Sequence, residues 1–319
     1  MKRITLKNKK NLLTFKEGFE EYIDNCKARN LREATIKHYK ESFISIKKFI
    51  PEDTLIKNFN KNTVPDFIIN CRENLEINDI TLYTYARDLK TLMYFFMRND
   101  YLQTFKIDLP KTTRTPIECY TDNELKVLLK KPDLNKSTFP EYRDWVIINF
   151  LMSVGVRLNS FINIKIKDLD LENEVVHVIM TKNRRPLIIP LNKSIIKILK
   201  EYLKFRDYEN EEEYLFCNVY GKQLTKTTIS ESLRQYNIRR KITKTGIHRY
   251  RHTFAKKWIM AGGSVTTLQK ILGHSSLNMT ENYINLLVED LKKDINQFNL
   301  LEEFSQSKQH IKVKNKYRK

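Results

Sequence analysis

The chain has 319 residues, 41% of them hydrophobic. That is more than one ordinary core needs and too apolar for disorder throughout, so two folded domains with short tails are expected. Lys and Arg number 58 against 38 Asp and Glu, and the net charge of +20 draws polyanions and gains affinity by releasing their counterions. Nucleic acid therefore leads the partner classes, although a merely basic protein from an AT-rich genome would share this bias. The cysteines Cys26, Cys71, Cys119 and Cys217 are scattered without a CxxC pair, which reads as free thiols in a reducing cytosol. Met1 to Lys10 lacks the apolar stretch of a signal peptide. The most apolar run, Trp145 to Val156, contains Asn149 and Ser153 and falls short of the ~20 residues of a membrane span, so no membrane role is expected.

In chain order, Phe15, Phe19, Tyr22 and Ile23 share one helical face, and Ile36, Tyr39, Phe43, Ile46 and Phe49 or Ile50 continue the 3.6-residue period until Pro51. A third helix is expected around Val64 to Cys71. A fourth runs from Asp79 to Met97 and carries Leu82, Tyr85, Leu89, Leu92, Phe95 and Phe96 among basic residues. These make a small helical domain over residues 14–103. Pro110 and Pro116 among Lys111 to Thr115 break the periodicity, because proline lacks a donor and restricts the residue before it, so residues 104–120 read as a linker.

A second domain is expected over 121–300. Thr121 with Glu124 has the spacing of a capping box, and Tyr142 to Val154 is apolar enough to be a buried helix. Val175 to Met180 and Leu187 to Ile189 read as the strands of a hairpin whose tip, Lys182 to Arg185, is basic. Helices follow at Lys193 to Arg206, Thr227 to Tyr236, Arg249 to Met260, Val265 to Leu272 and Asn285 to Phe298. The tail 301–319 is basic, with no acid from Ser305 onward. The expected fold class is mainly α with a small antiparallel β-sheet, in two domains.

Glycine is scarce, at seven residues, yet Gly155, Gly246 and Gly273 each stand one or two positions before Arg157, His248 and His274, where a residue without Cβ permits a sharp turn. His248 and Arg251, three apart, share a helical face. Arg157 offers a second guanidinium fork, and two forks can hold both non-bridging oxygens of a phosphodiester through charge-assisted bonds. A tyrosine hydroxyl, with a pKa of about 10, attacks phosphorus only beside a base and fixed positive charge, which His248 and the arginines supply. Phosphoryl transfer without a metal then rests on positioning and electrostatics.

Ser153-Val154-Gly155-Val156-Arg157, His248-Arg249-Tyr250-Arg251-His252-Thr253-Phe254-Ala255, and Leu272-Gly273-His274-Ser275-Ser276 with Tyr283 nine residues past His274 resemble the three signature boxes of tyrosine recombinases, the phage integrase family. The resemblance is strong from about Asp122 to Leu300, and looser in the helical N-terminal part, which is similar to the family's core-binding domain. It implies a two-domain clamp around duplex DNA and strand exchange without ATP or metal. Tyr283 would be the nucleophile forming a 3′-phosphotyrosine. Arg157 and Arg251 would clamp the phosphate, and Lys182 would protonate the leaving 5′ oxygen. His248 would exchange the tyrosine proton, and His274 would bond a phosphate oxygen in the transition state. Many relatives carry an acid three residues after the first arginine, where this chain has Ser160; that position buttresses and does not react. Lys182, Arg184 and Arg185 crowd one turn whose register the sequence leaves open, with Lys182 favoured.

Implied partners are double-stranded recombination sites, a homo-oligomer, most simply a tetramer on DNA, and accessory DNA-bending or directionality proteins. The implied location is the bacterial cytoplasm at the nucleoid, and the implied setting leans towards a mobile element. The stripe Leu287, Leu291, Ile295 and Phe298 on a terminal helix fits docking on its own domain as well as on a neighbouring subunit. Taken alone, each site residue has an ordinary structural reading, and only the conjunction of three boxes outweighs it. The rivals are a non-catalytic DNA-binding relative, a type IB topoisomerase, and a regulator using Thr227 to Arg240 as recognition helix, which would leave Tyr283 unexplained. His248 and His252 have zinc spacing, but Arg249 and Arg251 repel a cation. Gly221-Lys222 lacks the remainder of a phosphate loop and reads as a turn.

Overall fold

The computed structural model describes residues 12–112, 117–179, 181, 185–274, 276 and 280. Packing divides the chain into two units, Met1–Thr115 and Pro116–Lys319.

In the first unit four helices, α1 (Phe15–Ala28), α2 (Glu33–Ile46), α3 (Thr63–Asn74) and α4 (Asp79–Arg98), enclose one core. α1 starts at Thr14, whose hydroxyl accepts from the Glu17 N–H while the Glu17 carboxylate accepts from the Thr14 N–H, so two orphan donors of the first turn are satisfied reciprocally. Phe15, Phe19, Tyr22 and Ile23 are buried as their spacing required, and the Phe19 and Phe43 rings stack with centroids 3.9 Å apart. α2 stops at Ile46, short of Pro51. The N–H groups of Phe49 and Ile50 both turn back onto the Ile46 carbonyl, so the chain leaves the helix before the proline can end it.

The second unit is built around α6 (Phe139–Val154), which is buried on nearly all sides. α5 (Asp122–Leu128) begins with the capping box at Thr121 and Glu124. After α6 come a four-residue α7 (Leu158–Phe161) and a three-stranded antiparallel sheet: β1 (Leu169–Asp170), β2 (Val175–Val178) and β3 (Leu187–Pro190), in that order across the sheet. Val176 lies opposite Ile189 and both are buried, along with Val178, which is how the alternating pattern joins this sheet to the core. β2 ends two residues earlier than the apolar run, and β1 is an added strand; otherwise the expected hairpin is present. Then follow α8 (Lys193–Phe205), α9 (Lys226–Arg239), α10 (Ile247–Met260) and α11 (Val265–Leu272). Gly221 sits at φ +73° in an exposed turn closed by the Asn218 carboxamide oxygen, which accepts from the Tyr220 and Lys222 N–H groups. Among the described residues, no helix is long and apolar enough to cross a membrane. Lys182, Tyr283, the stripe Leu287 to Phe298, the tail from Ser305, the N-terminal segment and the Pro116 end of the linker lie outside the described residues.

Candidate active site

Three helix ends of the second unit meet where the site residues stand. Gly155 closes α6 in the left-handed region at φ +58°, and Gly273 closes α11 in the same way at φ +59°. This conformation is open to glycine at little cost and strained for other residues. Gly155 is excluded to side chains for a second reason. A Cβ there would stand 2.5 Å from Phe254 Cδ1 and 2.9 Å from Leu272 Cδ2, so α10 and α11 approach its backbone too closely for any other residue. Gly246, at φ +104°, caps the start of α10. The three glycines singled out in the sequence are thus the three turns that present Arg157, the α10 residues and His274.

α10 is held from behind by a buried polar network. The Tyr250 hydroxyl donates to Asn237 Oδ1 at 2.7 Å, and Asn237 Nδ2 donates to Tyr120 Oη at 2.8 Å and to the Lys244 carbonyl at 2.9 Å. The Tyr120 N–H donates to Thr253 Oγ1 at 3.0 Å, and that hydroxyl donates to the Arg249 carbonyl at 2.8 Å. A satisfied buried network of this kind fixes one helix rotation, because breaking any member strands a partner. α11 packs against α10 through Phe254, Ala255, Leu268 and Leu272.

On the open side of α10, the two guanidiniums converge. Arg157 Nη1 donates to the Leu272 carbonyl at 3.0 Å and to the Gly273 carbonyl at 3.1 Å. Arg251, 5% exposed, donates through Nη2 to the same Leu272 carbonyl at 2.9 Å and through Nη1 to the Gly155 carbonyl at 2.6 Å. These acceptors are the last carbonyls of α11 and α6, groups without intrahelical partners at the negative ends of the helix dipoles. Two helix C-termini therefore compensate the buried Arg251 and the half-buried Arg157. Both arginines reach one oxygen, which brings their forks within the span of a single small oxyanion.

His274 joins them: Arg251 Nη2 is 2.8 Å from its Nε2, and its Nδ1 is 2.8 Å from Thr280 Oγ1. Arg157, Arg251 and His274 line one cavity of about 620 Å³, together with Ser160, Thr181, Arg185 and Lys270. Ser160 is buried, and its N–H donates to the Arg157 carbonyl at 3.0 Å, which holds this residue in the lining of the cavity beside the arginines. His248 stands outside this lining, in the first turn of α10. Its outer edge is exposed, while its inner side is desolvated and feels Arg251 and Arg157, and all three effects lower its pKa. At neutral pH the ring is uncharged and able to accept a proton. The site residues that spacing missed are Lys270 and Thr280. A lysine in the last turn of a helix is usual as a complement to its dipole, and an isolated threonine carries no pattern, so neither stands out in the sequence.

Burial first, then neighbouring positive charge, pushes His252 and His274 down to about 4 from an ordinary 6.5. The sign of the consequence is fixed. A ring kept neutral in the fold but protonated on unfolding contributes stability that is fully present above pH 6.5 and lost as pH falls through the folded value near 4. The thermal midpoint is therefore expected to fall between pH 6.5 and about 5, above the range where carboxylates titrate, and to fall less in His252→Gln. Calorimetry at a series of pH values measures it, and a flat profile in wild type contradicts the assignment.

The fold and the cavity define a mainly helical protein with a small antiparallel sheet and a cavity lined by two arginines and a histidine. The family described as the phage integrase family matches residues 119–289, more than half of the chain, and the chain belongs to that family. Among similar proteins, the tyrosine recombinase XerD of Staphylococcus haemolyticus is 28% identical over 88% of this chain and 97% of its own length. The tyrosine recombinase XerC of Chlamydia trachomatis serovar L2 is 25% identical over 89% and 96%. The fold is similar to that of the Tn1549 transposon integrase in complex with transposon right end DNA, at TM-score 0.73 and 18% identity over 90% of this chain and 100% of that one. It is also similar to the XerH site-specific recombinase bound to palindromic difH substrate, at TM-score 0.65 and 21% identity over 88% and 84%.

Proposed function

We propose that the protein is a tyrosine site-specific recombinase that cuts and rejoins duplex DNA through a 3′-phosphotyrosine intermediate, with neither metal nor ATP as a reactant. The observation that carries this reading is the convergence of Arg157 and Arg251 on one oxygen, the Leu272 carbonyl, at the wall of an open cavity that His274 also lines. A phosphodiester entering that cavity presents two non-bridging oxygens, and donors already fixed in place stabilise the charge that grows on them in the transition state.

In this reading the Tyr283 oxygen attacks phosphorus, the bond to the 5′ oxygen breaks, and the tyrosine proton passes to His248, whose lowered pKa keeps it ready to accept. The approach of the phosphate anion raises the affinity of His248 for that proton. Lys182 supplies a proton to the departing 5′ oxygen. Attack by the 5′-hydroxyl of a second strand reverses these transfers and reseals the backbone, so the phosphodiester bond energy is conserved. The helical unit over 14–103 would close on the DNA opposite the catalytic unit over 121–300, the residues 104–120 would link them, and several protomers would assemble on two sites. The +20 charge supports duplex DNA as the partner.

The test is recombination between two plasmid-borne copies of the DNA flanking the coding sequence, with EDTA present and ATP omitted. Exchange of flanking DNA is the expected outcome. Relaxation of supercoils without exchange would instead support a type IB topoisomerase.

A further inference from the structure

The contacts of His274 determine where its proton sits. A guanidinium N–H is a donor only, so at 2.8 Å from Arg251 Nη2 the His274 Nε2 atom must accept. Burial and the two arginines hold the ring neutral at physiological pH. The single ring proton is then on Nδ1, and Nδ1–H donates to Thr280 Oγ1 at 2.8 Å. Thr280 is fully buried, at 0% exposure.

We infer that Thr280 is a positioning residue for His274, one that fixes its ring orientation before DNA binds by accepting from the Nδ1–H that the Arg251 contact dictates. This inference rests on the proposed function for its catalytic consequence, but not for the tautomer itself. A hydroxyl suits the place because it both accepts and donates. To donate to a phosphate oxygen, His274 must carry its proton on Nε2. Nδ1 then becomes the acceptor, and the Thr280 hydroxyl turns to donate to it. One proton leaves Nδ1 for water and one arrives at Nε2 from water, so the ring stays neutral and the balance closes. A carboxylate could only accept and would favour the charged imidazolium, whereas a methyl would remove the Thr280 acceptor from the half-buried Nδ1–H. The threonine thus permits both tautomers in sequence: one in which Arg251 is held by Nε2, and one in which Nε2 faces the phosphate.

The experiment compares wild type, Thr280→Val and Thr280→Ser. Valine matches the buried volume and removes the hydroxyl, while serine keeps the hydroxyl and removes the methyl. In the DNA-free proteins, NMR of the nitrogen-15-labelled His274 ring is expected to show a slowly exchanging, hydrogen-bonded Nδ1–H in wild type and Thr280→Ser, and faster exchange of that proton in Thr280→Val. In cleavage of a nicked duplex carrying the DNA that flanks the coding sequence, Thr280→Val should be slower by about ten-fold or more, since a mis-set histidine costs up to ~10⁴-fold in a triad. Thr280→Ser should stay within about three-fold, and binding of the same duplex should be unchanged in both. A Thr280→Val protein that keeps the slowly exchanging Nδ1–H, or a Thr280→Ser protein as slow as Thr280→Val, overturns the assignment. Should wild type fail to cleave, the recombinase reading falls, and the exchange of the Nδ1 proton in the free protein still decides the role of Thr280.

Discussion

Tyr283→Phe is expected to abolish covalent capture of DNA while leaving the affinity for duplex DNA within about two-fold. The change removes one oxygen and nothing else, so helix propensity and apolar volume at the position hardly alter. Affinity rests on a charge of +20 spread over the chain, to which a neutral hydroxyl adds nothing. Chemistry, in contrast, has no substitute for the missing nucleophile: the arginines can polarise a phosphate but cannot form a bond to it. Denaturing gels of wild type and variant on a nicked duplex measure capture, and mobility shifts of the same samples measure binding. A regulator that merely binds DNA would show no difference between the two proteins in either assay.

The second large effect is expected at Arg251. Arg251→Lys should slow cleavage by about 10²–10³-fold, the loss associated with removing one fixed donor from a transition-state oxyanion. Lysine keeps the charge but not the fork, and its ammonium cannot hold two oxygens side by side. The fold suffers too. Arg251 donates to the carbonyls of Gly155 and Leu272 and to His274 Nε2, three groups spread over the ends of two helices, and lysine cannot reach them all. Each acceptor left without a donor in a buried place costs about 1–3 kcal/mol, so the thermal midpoint should fall along with the rate. The two losses separate by measuring cleavage well below the midpoint: a variant that is folded there yet fully active would remove Arg251 from the site.

The degree to which the site was legible in the sequence follows from what each feature depends on. Gly155, Gly246 and Gly273 stood out because positive φ is a local property of the chain, and all three adopt it. The capping box at Thr121 and the faces of α1 and α4 are likewise local, fixed by spacings of three and four residues. β1 escaped because two residues are too few to show alternation, and α7 because four residues make barely one turn. The end of α2 at Ile46 was hidden by a periodicity that continues to Ile50, since both residues are buried whether or not the backbone between them is helical. Thr280 and Lys270 could not be found from spacing at all. Their contacts with the cavity arise from tertiary closure of α11 and the chain beyond it, and neither residue type is unusual in such a place. The support of both arginines by helix C-terminal carbonyls is equally invisible in sequence, because it depends on where α6 and α11 end relative to one another.

The most direct test of the central claim is to trap the protein on the nicked duplex in the presence of EDTA, digest the adduct with protease and nuclease, and locate the residual nucleotide by mass spectrometry. The account predicts a nucleotide 3′-phosphate joined to the peptide that contains Tyr283. Attachment at any other of the 16 tyrosines, or a 5′-phosphate linkage, would contradict it.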